Sequence, residues 1–522
     1  MMLWLTTIAF AVYLIIVLLR ELHHLQLNSY RNERYLRWWP GPVGRNWRLP
    51  GMLLLLFAAI WNFYDLSSLP DWTWTGASLL AAFLLYSEKK KKPLVLTQRA
   101  TRLLITMIVI SLALGILFFL PTDESSFLLA LWILGLCAPA ILLVANIVLR
   151  PVEKRINDSF INDARRIVKS MPDLKIVAIT GSYGKTSVKH FLTAMLSEQF
   201  HVLMTPGSYN TTMGVVRTIR EMLKPTHEIF VVEMGAKQSG DIREICEITP
   251  PDRSILTAVG PQHLETFGSI ENVQKTKFEI VEALPSGGTA YLNADYEYVR
   301  TYPVKDSVEA IYYSVEHEQG EYQAENLRYE KGRLHFDVVR NGNKLMALET
   351  QLLGQHNASN LLACTAVALD FGVAPERIAY AVRQLQPVEH RLQLRNFPGG
   401  YTVLDDAFNS NPAGARMALE VLQQLEGNRK IIITPGMIEL GPQQYDLNKE
   451  FGRQIADACD YVILVGPKQT EAIQDGLREA GYPEEKLYVA RNLEDANGHL
   501  RPQLKAGDVV LYENDLPDTY NE

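Results

Sequence analysis

Residues 176 to 187, Ile-Val-Ala-Ile-Thr-Gly-Ser-Tyr-Gly-Lys-Thr-Ser, have the types and spacing of a phosphate site. An apolar run ends in Gly181-Ser182-Tyr183-Gly184, and Lys185, Thr186 and Ser187 open the next segment. In such a loop the backbone N–H groups and the following helix N-terminus face an anion. Lys185 can reach β- and γ-phosphates, and the Thr186 hydroxyl can hold Mg2+. The longer form of the pattern wants a Gly five residues before Gly184, where Ile179 stands, so this is the shorter G-x-x-G-K-T form. Taken alone the string also fits a plain Gly turn. The flanking strand and helix patterns favour a nucleotide. Two more polar side chains stand at the ends of apolar runs: Glu233 closes Ile229-Phe-Val-Val-Glu, and His263 follows Ser254-Ile-Leu-Thr-Ala-Val-Gly260.

These groups need a scaffold that brings the ends of several strands together. Ile176–Ile179 reads as a buried parallel strand and Val188–Leu196 as the helix behind the loop. Phe200–Pro206, Ile229–Gly235 and Ser254–Gly260 read as further strands. Strands alternating with helices argue a doubly wound parallel sheet, whose ligands lie at the carboxyl ends of the strands. Glu321–Gln351 reads as antiparallel, with Asn341-Gly342 as a hairpin turn, and Asn357–Phe371 as a helix. The α/β pattern restarts at Tyr401 as a second, Rossmann-like domain. Its strands are Tyr401–Leu404, Lys430–Thr434, Tyr461–Val465 and Val509–Tyr512, and its helices Ala413–Gln424 and Tyr445–Ala458.

The first 150 residues differ from the rest in carrying long apolar runs: Leu3–Leu19, Leu49–Tyr64, Trp72–Tyr86, Leu103–Leu120 and Phe127–Leu149. A spanning helix needs about 20 apolar residues. The first, fourth and fifth runs qualify, and the short second and third also fit a re-entrant pair. Lys and Arg crowd alternate loops: Arg20 to Arg48, Lys89 to Arg102, and Arg150 to Arg155. The loops Asp65–Asp71 and Pro121–Ser126 hold none. About five membrane helices are therefore expected, with the N-terminus outside and residues 150–522 in the cytoplasm. Trp38, Trp39 and Trp47 beside arginines read as an interfacial belt or as a site for an anionic lipid headgroup. The expected organisation is a transmembrane region, 1–150; a linker helix, 151–173; a central ATP-binding domain, 174–392; and a C-terminal α/β domain, 393–522. A net charge of −7 with no basic stripe gives no basis for nucleic-acid binding. Cys137, Cys246, Cys364 and Cys459 are too far apart for a zinc knuckle or a C-x-x-C pair.

Nine short strings, in order, resemble the Mur ligase family over roughly residues 174 to 515. They are Thr180–Thr186, Glu233-Met-Gly-Ala236, His263–Ser269, Lys277-Phe-Glu279, Leu292-Asn-Ala-Asp295, Gly354–Asn360, His390-Arg391, Asp405–Pro412 and Gly436–Gly441. The resemblance implies a central P-loop domain, a parallel sheet with flanking helices and a small antiparallel sheet, followed by a Rossmann-like domain. It implies an ATP- and Mg2+-dependent, ADP-forming ligase that joins a carboxylate to an amine through an acyl phosphate in cell-envelope (peptidoglycan precursor) metabolism. Lys185 and Thr186 would hold the γ-phosphate and one Mg2+, and Glu233 and His263 would ligate Mg2+. Lys277 would be carbamylated and act there too. Asn293, His356, Asn357 and Asn360 match positions around the adenine. Arg391 and Asp406 match positions that reach the nucleotide from beyond the central domain, and Asn409 and Asn411 lie on the acceptor side. The bland readings are that Asn293 ends a strand, His356 and Asn357 cap a helix, Arg391 forms a surface ion pair and Lys277 is a solvated helix lysine.

Three departures bear on the substrates. Membrane segments stand where the family has a domain gripping the UDP-sugar end of the donor, which favours a lipid-linked or membrane-associated carboxylate donor. The family's Gly-Asp-Met is Pro435-Gly436-Met437 here. Its Lys-Gly-Ser after the last strand is Glu513-Asn514-Asp515, which alters the charge on the side that receives the amino-acid or peptide amine. Two other readings remain open: a polymerising ligase resembling the poly-γ-glutamate synthetases, and an ATP-binding membrane scaffold. The latter would not need Lys185, Thr186, Glu233, His263 and Lys277 together.

Overall fold

The computed structural model describes residues 2–28, 30–38, 75–76, 78–80, 82–83, 93–119, 133–262, 264–330, 333–407, 410–438 and 440–514. The chain divides into two units, Met1–Asp158 and Ser159–Glu522.

The first unit is helical. Met2–Leu27 and Gln98–Phe119 pack around Phe10, Tyr13, Leu18, Leu22, Leu103 and Met107. Among the described residues two stretches, Thr7–Leu27 and Gln98–Leu117, are long and apolar enough to cross a membrane, against about five expected. The expected span Leu49–Tyr64 lies outside the described residues, as do most of Trp72–Tyr86 and the start of Phe127–Leu149. The first helix does not stop at Arg20. It runs on to Leu27 because Arg20, Glu21 and His23 are buried, and the Tyr35 hydroxyl donates to Glu21 Oε2. The fifth apolar run and the linker, expected as separate helices, form one helix, Ala138–Lys169. It passes through Pro151, whose missing N–H costs about 3 kcal/mol. One turn is secured at that point by a two-pronged pair, with Arg102 Nε and Nη2 donating to Glu153 at 2.7 and 3.0 Å.

The second unit holds two sheets. The first contains β1 (Lys175–Thr180), β2 (Val202–Met204), β3 (Ile229–Glu233), β4 (Arg253–Leu256), β5 (Thr289–Asn293), β6 (Glu309–Ser314), β7 (Tyr322–Glu330), β8 (Arg333–Arg340) and β9 (Asn343–Thr350). Their spatial order is β2-β3-β1-β4-β5-β6-β7-β8-β9. Pairs are parallel as far as β7, and β7–β8–β9 are antiparallel. The small antiparallel sheet expected as a separate element is thus a continuation of the parallel one, joined where β6 pairs with β7. Its hairpin turns at Asn341 and Gly342, both with positive φ, as a mirror-image two-residue turn requires.

Helices cover both faces, which is why β1 and β3 are continuous apolar runs rather than alternating ones. Lys185–Ser197 and Gln355–Asp370 bury Val188, Leu192, Met195, Leu361 and Leu362 on one face. Thr212–Met222, Asp241–Ile248 and Ile270–Glu282 bury Val215, Ile219, Ile242, Phe278 and Val281 on the other. In the centre, Ile179 of β1 lies beside Glu233 of β3, and Thr180 beside Leu256 of β4. The loop after Thr180 therefore emerges between the carboxyl ends of two neighbours.

The second sheet contains β10 (Gln393–Asn396), β11 (Thr402–Asp406), β12 (Lys430–Thr434), β13 (Tyr461–Val465), β14 (Leu487–Ala490) and β15 (Val509–Glu513), in the order β10-β11-β15-β12-β13-β14. All neighbours are parallel except β10 and β11. β10 and β14 went unread in the sequence: Gln393-Leu-Arg-Asn396 has no apolar run, and Leu487-Tyr-Val-Ala490 is a short one whose side chains, Ala490 apart, are only partly buried.

Candidate active site

The loop after β1 is shaped by two glycines. Gly181 has φ 154°, and a Cβ there would lie 2.0 Å from Thr257 Oγ1. Gly184 caps the helix Lys185–Ser197 at φ 78°, and a Cβ would meet Asn360 Oδ1 at 2.6 Å. The residues after β4 hold the loop. Ser182 N donates to the Ala258 carbonyl at 2.8 Å, the Ser182 hydroxyl donates to the Gly260 carbonyl at 3.0 Å, and Thr257 Oγ1 donates to the Tyr183 carbonyl. Tyr183 OH reaches the Pro261 carbonyl at 3.3 Å. No side chain caps the helix that starts at Lys185, so its first N–H groups remain for an anion. Lys185 Nζ folds back onto the Gly181 and Ser182 carbonyls at 2.6 and 3.3 Å. Thr186 and Ser187 lie in the helix's first turn.

Glu233 is the electrostatic centre. It is 1 % exposed. Its Oε1 accepts from Thr186 Oγ1 at 3.1 Å and Asn210 Nδ2 at 3.0 Å, and its Oε2 pairs with Lys189 Nζ at 3.0 Å. Burial alone would raise its carboxyl; the Lys189 and Lys185 charges and these hydrogen bonds outweigh it, and the group stays ionised, below its ordinary range. Lys189 was not singled out in the sequence. It lies four residues beyond Lys185 on the same helix, fully buried, with Nζ also donating to the Gly207 carbonyl at 2.6 Å. Its signal was there: a lysine among Val188, Phe191 and Leu192 on the helix's buried side. Asn210 was seen only as part of a polar loop.

Two cations are pressed toward neutrality. Burial, helped by Arg391, pushes Lys185 down to about 8 against the pull of Glu233. Lys277, on the helix Ile270–Glu282, is 2 % exposed and makes no hydrogen bond or ion pair with a described residue. Burial and then the Lys185 charge lower it well below the usual lysine range, against Asp241, Glu233 and Glu279. It is not a solvated helix lysine.

The other expected side chains divide. Asn360 packs on Gly184, beside the loop. His356 is held neutral, down to about 4, by burial and Arg391, and its buried Nδ1 has no hydrogen-bond partner. Asn357 Nδ2 turns back to the Leu353 carbonyl at 2.6 Å. Asn293, expected around the adenine, has its amide committed to the fold: Nδ2 donates to the Thr257 carbonyl and Ser359 Oγ at 2.9 and 3.0 Å, and Oδ1 accepts from Asp295 N. It anchors Thr257, which in turn holds the loop. Asn411 Oδ1 caps the helix Pro412–Gln424 by accepting from Gly414 N at 2.9 Å. His263 and Asn409 lie outside the described residues. Among the described residues no three His, Cys, Asp or Glu side chains form a metal-binding group. Thr186 and Glu233 do supply adjacent hydroxyl and carboxylate oxygens, the donor chemistry a hard cation such as Mg2+ takes.

The carboxyl edge of the second sheet faces the same region through Arg391. Its guanidinium interacts with Asp406, Glu233 and Glu513. Asp406 ends β11 and Glu513 ends β15, directly paired in register. Glu513 is 1 % exposed and accepts from Ser410 Oγ at 2.6 Å, while its Oε2 has no donor. Burial pushes Asp406 up to about 6 despite Arg391, and burial together with Asp406 pushes Glu513 well above the carboxylate range. Asn514 follows at φ 70° and donates to the Gly436 carbonyl at 2.6 Å.

Both sheets of the second unit fall largely in regions shared with known proteins. The Mur ligase middle domain matches residues 179–368, and the Mur ligase, glutamate ligase domain matches residues 390–512. The UDP-N-acetylmuramoyl-tripeptide–D-alanyl-D-alanine ligase of Mycobacterium tuberculosis H37Rv is 31% identical over 361 residues, covering 65% of this chain and 70% of its own. That of Escherichia coli K12 is 30% identical over 338 residues, covering 63% and 74%. The chain belongs to the Mur ligase family. Among solved structures, a MurF ligase from Thermotoga maritima in complex with ADP superimposes with a TM-score of 0.62 at 25% identity, over 69% of this chain and 80% of that one. An Acinetobacter baumannii MurF gives 0.62 at 24%, over 70% and 78%. The protein is an ATP-dependent, ADP-forming carboxylate–amine ligase of the Mur kind. Residues before 179 lie outside both family matches.

Proposed function

We propose that the protein is a membrane-anchored Mur ligase that activates a carboxylate of a peptidoglycan precursor as an acyl phosphate and transfers it to an amine. The convergence of Lys185, Lys189, Lys277 and Arg391 on the buried Glu233 and the loop after β1 carries the reading. Phosphoryl transfer needs positioned charge rather than an activated nucleophile, and that is what these residues supply. The loop N–H groups and Lys185 would receive the β- and γ-phosphates, with Lys185 leaving the Gly181 carbonyl to do so. Asn360, His356, Asn357, Arg391 and Asp406 would border the nucleotide. Asn293 would act by holding Thr257 in place.

Thr186 and Glu233 would hold Mg2+, together with His263 and a carbamylated Lys277. Bound there, the ion would neutralise charge on the transferring phosphate. Lys277 favours carbamylation because it is buried, unpaired with any described residue and biased toward the neutral amine that reacts with CO2. Lys277→Ala should be nearly inactive and partly rescued by a short carboxylic acid.

The relatives' names point to UDP-N-acetylmuramoyl-tripeptide as donor and D-alanyl-D-alanine as acceptor. A lipid-linked or membrane-held donor fits the N-terminal unit better. On the helix Gln98–Phe119 the apolar Ile105, Val109, Leu112 and Ile116 are more than half exposed and follow one stripe, a surface suited to lipid. The catalytic unit would then lie in the cytoplasm beside a multi-pass membrane region. The test is mass spectrometry of products after incubating the full-length protein with ATP, Mg2+, UDP-linked and lipid-linked muramoyl peptides, and a panel of amines. ADP plus one new amide is expected; absence of ADP with every donor would overturn the ligase assignment. Chain growth would replace it with the polymerising reading. Release of the protein from membranes by alkaline carbonate would overturn the anchoring.

A further inference from the structure

The carboxyl edge of the second sheet carries a group for which the nucleotide reading has no use. Glu513 is buried at the end of β15, with one oxygen satisfied by Ser410 and the other without a donor. Its neighbour across the register is Asp406, a second acceptor within hydrogen-bonding reach. A buried carboxylate oxygen without a donor is costly, and burial beside Asp406 biases the pair toward keeping one proton between the two carboxyls. Among the described residues the charged and polar groups facing the pair are Arg391 and the Leu392 N–H from the segment before β10, Asp405 on β11 and Ser410 on the loop after β11. Asp405 is itself paired with Arg395 at 3.2 Å and hydrogen-bonded to His390 Nδ1 at 2.9 Å. With both carboxyls ionised, Arg391 compensates one of them, and one negative charge and one acceptor oxygen remain.

Resting on the ligase reading, we propose that Glu513, with Asp406 behind it, receives an ammonium group of the acceptor, so that the acceptor is a cationic amine such as a diamine or a basic amino-acid amide. An ammonium supplies the missing donor and the missing positive charge together, and displaces the shared proton. A peptide presenting a carboxylate at this edge would meet two acids instead. The Ser410–Asn411 turn and the Gly436 loop, tied to Asn514, wall the same edge, where a ligand of a parallel sheet belongs.

The test is calorimetric titration of the full-length protein in detergent, saturated with a non-hydrolysable ATP analogue and Mg2+. The probes are lysinamide, 1,5-diaminopentane and D-alanyl-D-alanine. Lysinamide and the diamine should bind at least tenfold more tightly than the dipeptide. At pH 7 their binding should release a fraction of a proton, read from the dependence of the heat on buffer ionisation. Glu513→Gln, which can still bond Ser410, should lose the tenfold preference and the proton release. Glu513→Lys should invert the preference toward the dipeptide. A wild-type protein that binds the dipeptide as tightly as the cations, or a Glu513→Gln protein that keeps the preference and the proton release, would overturn the proposal. Binding of the ATP analogue is read separately, and its absence in the wild-type protein would overturn the ligase reading itself.

Discussion

The two sheets of the second unit are built alike and charged oppositely. Each is mainly parallel, and each gathers its polar groups where the strands end. The first gathers Lys185, Lys189 and Lys277 around a single buried carboxylate, and the second gathers Asp405, Asp406 and Glu513. Arg391 faces both. The scaffold therefore fixes where a ligand goes, while the side chains at the strand ends fix its sign. Neither edge is arranged for stability. One holds cations that burial pushes toward neutrality, and the other holds acids that burial pushes toward protonation.

The contrast is broken most severely at Lys189. Lys189→Met strips Glu233 of its buried partner and should cost about 3–5 kcal/mol of stability, read by chemical denaturation. A loss under 1 kcal/mol would show that Glu233 does not depend on the pair. Lys185→Ala should not lower the melting temperature at pH 7 and should raise it slightly, because it removes a buried charge that the fold carries at a cost below pH 8. ADP release should fall by about 10²–10³-fold; turnover close to wild type would remove Lys185 from the phosphate site. Gly184→Ala puts a Cβ against Asn360 Oδ1 at a left-handed φ and should cost roughly 2 kcal/mol with weakened nucleotide binding. Its companion Gly184→Ala/Asn360→Ala should recover part of the stability, and no recovery would place the strain in the backbone alone.

The smallest effect separates the edges by pH. In the fold the Asp406–Glu513 pair keeps a proton that the unfolded chain gives up above about pH 4. The folded state then binds more protons, and stability falls as pH rises from about 4 through Asp406's value of about 6. Glu513→Gln should flatten that fall and gain roughly 1 kcal/mol at pH 8. Lys185 acts the other way. Its folded value of about 8 lies below the unfolded one, so its penalty is present below 8 and fades toward pH 10.5. If Glu513→Gln leaves the stability profile unchanged between pH 4 and 8, the two edges do not differ as described.

Much of the first edge was legible in the chain. The loop after β1 and Glu233 at a strand end follow from apolar runs interrupted by Gly or by a charge, whereas Lys277 was marked only by the resemblance to a family. The second edge was harder to read. Glu513 stood out only as a departure from a family pattern, and its partnership with Asp406 depends on the register of strands more than a hundred residues apart. Lys189 was missed because a lysine on an apolar helix reads as a snorkelling cation unless its acceptor is known. Asn293 is hard to read for the opposite reason: a strand-end asparagine can bind a ligand or brace its own fold, and the bonds of its amide to Thr257 and Ser359 are set by segments distant in the chain. In the first unit, the apolar runs predicted separate spans, but the buried Arg20, Glu21 and His23 and the Pro151 turn let helices continue past the expected breaks.

The central place of β1 also bears on how the chain is made. It pairs with β3 and β4, whose residues follow it by roughly fifty to eighty positions. At translation rates of about 5–20 residues per second, the strand waits on the order of several seconds for its first neighbour. Through that interval Ile176-Val-Ala-Ile179 is an unpaired apolar edge ahead of a loop that has nothing to bind. The segment that organises the finished enzyme is thus an unpaired apolar edge in the nascent chain, open to a chaperone during synthesis.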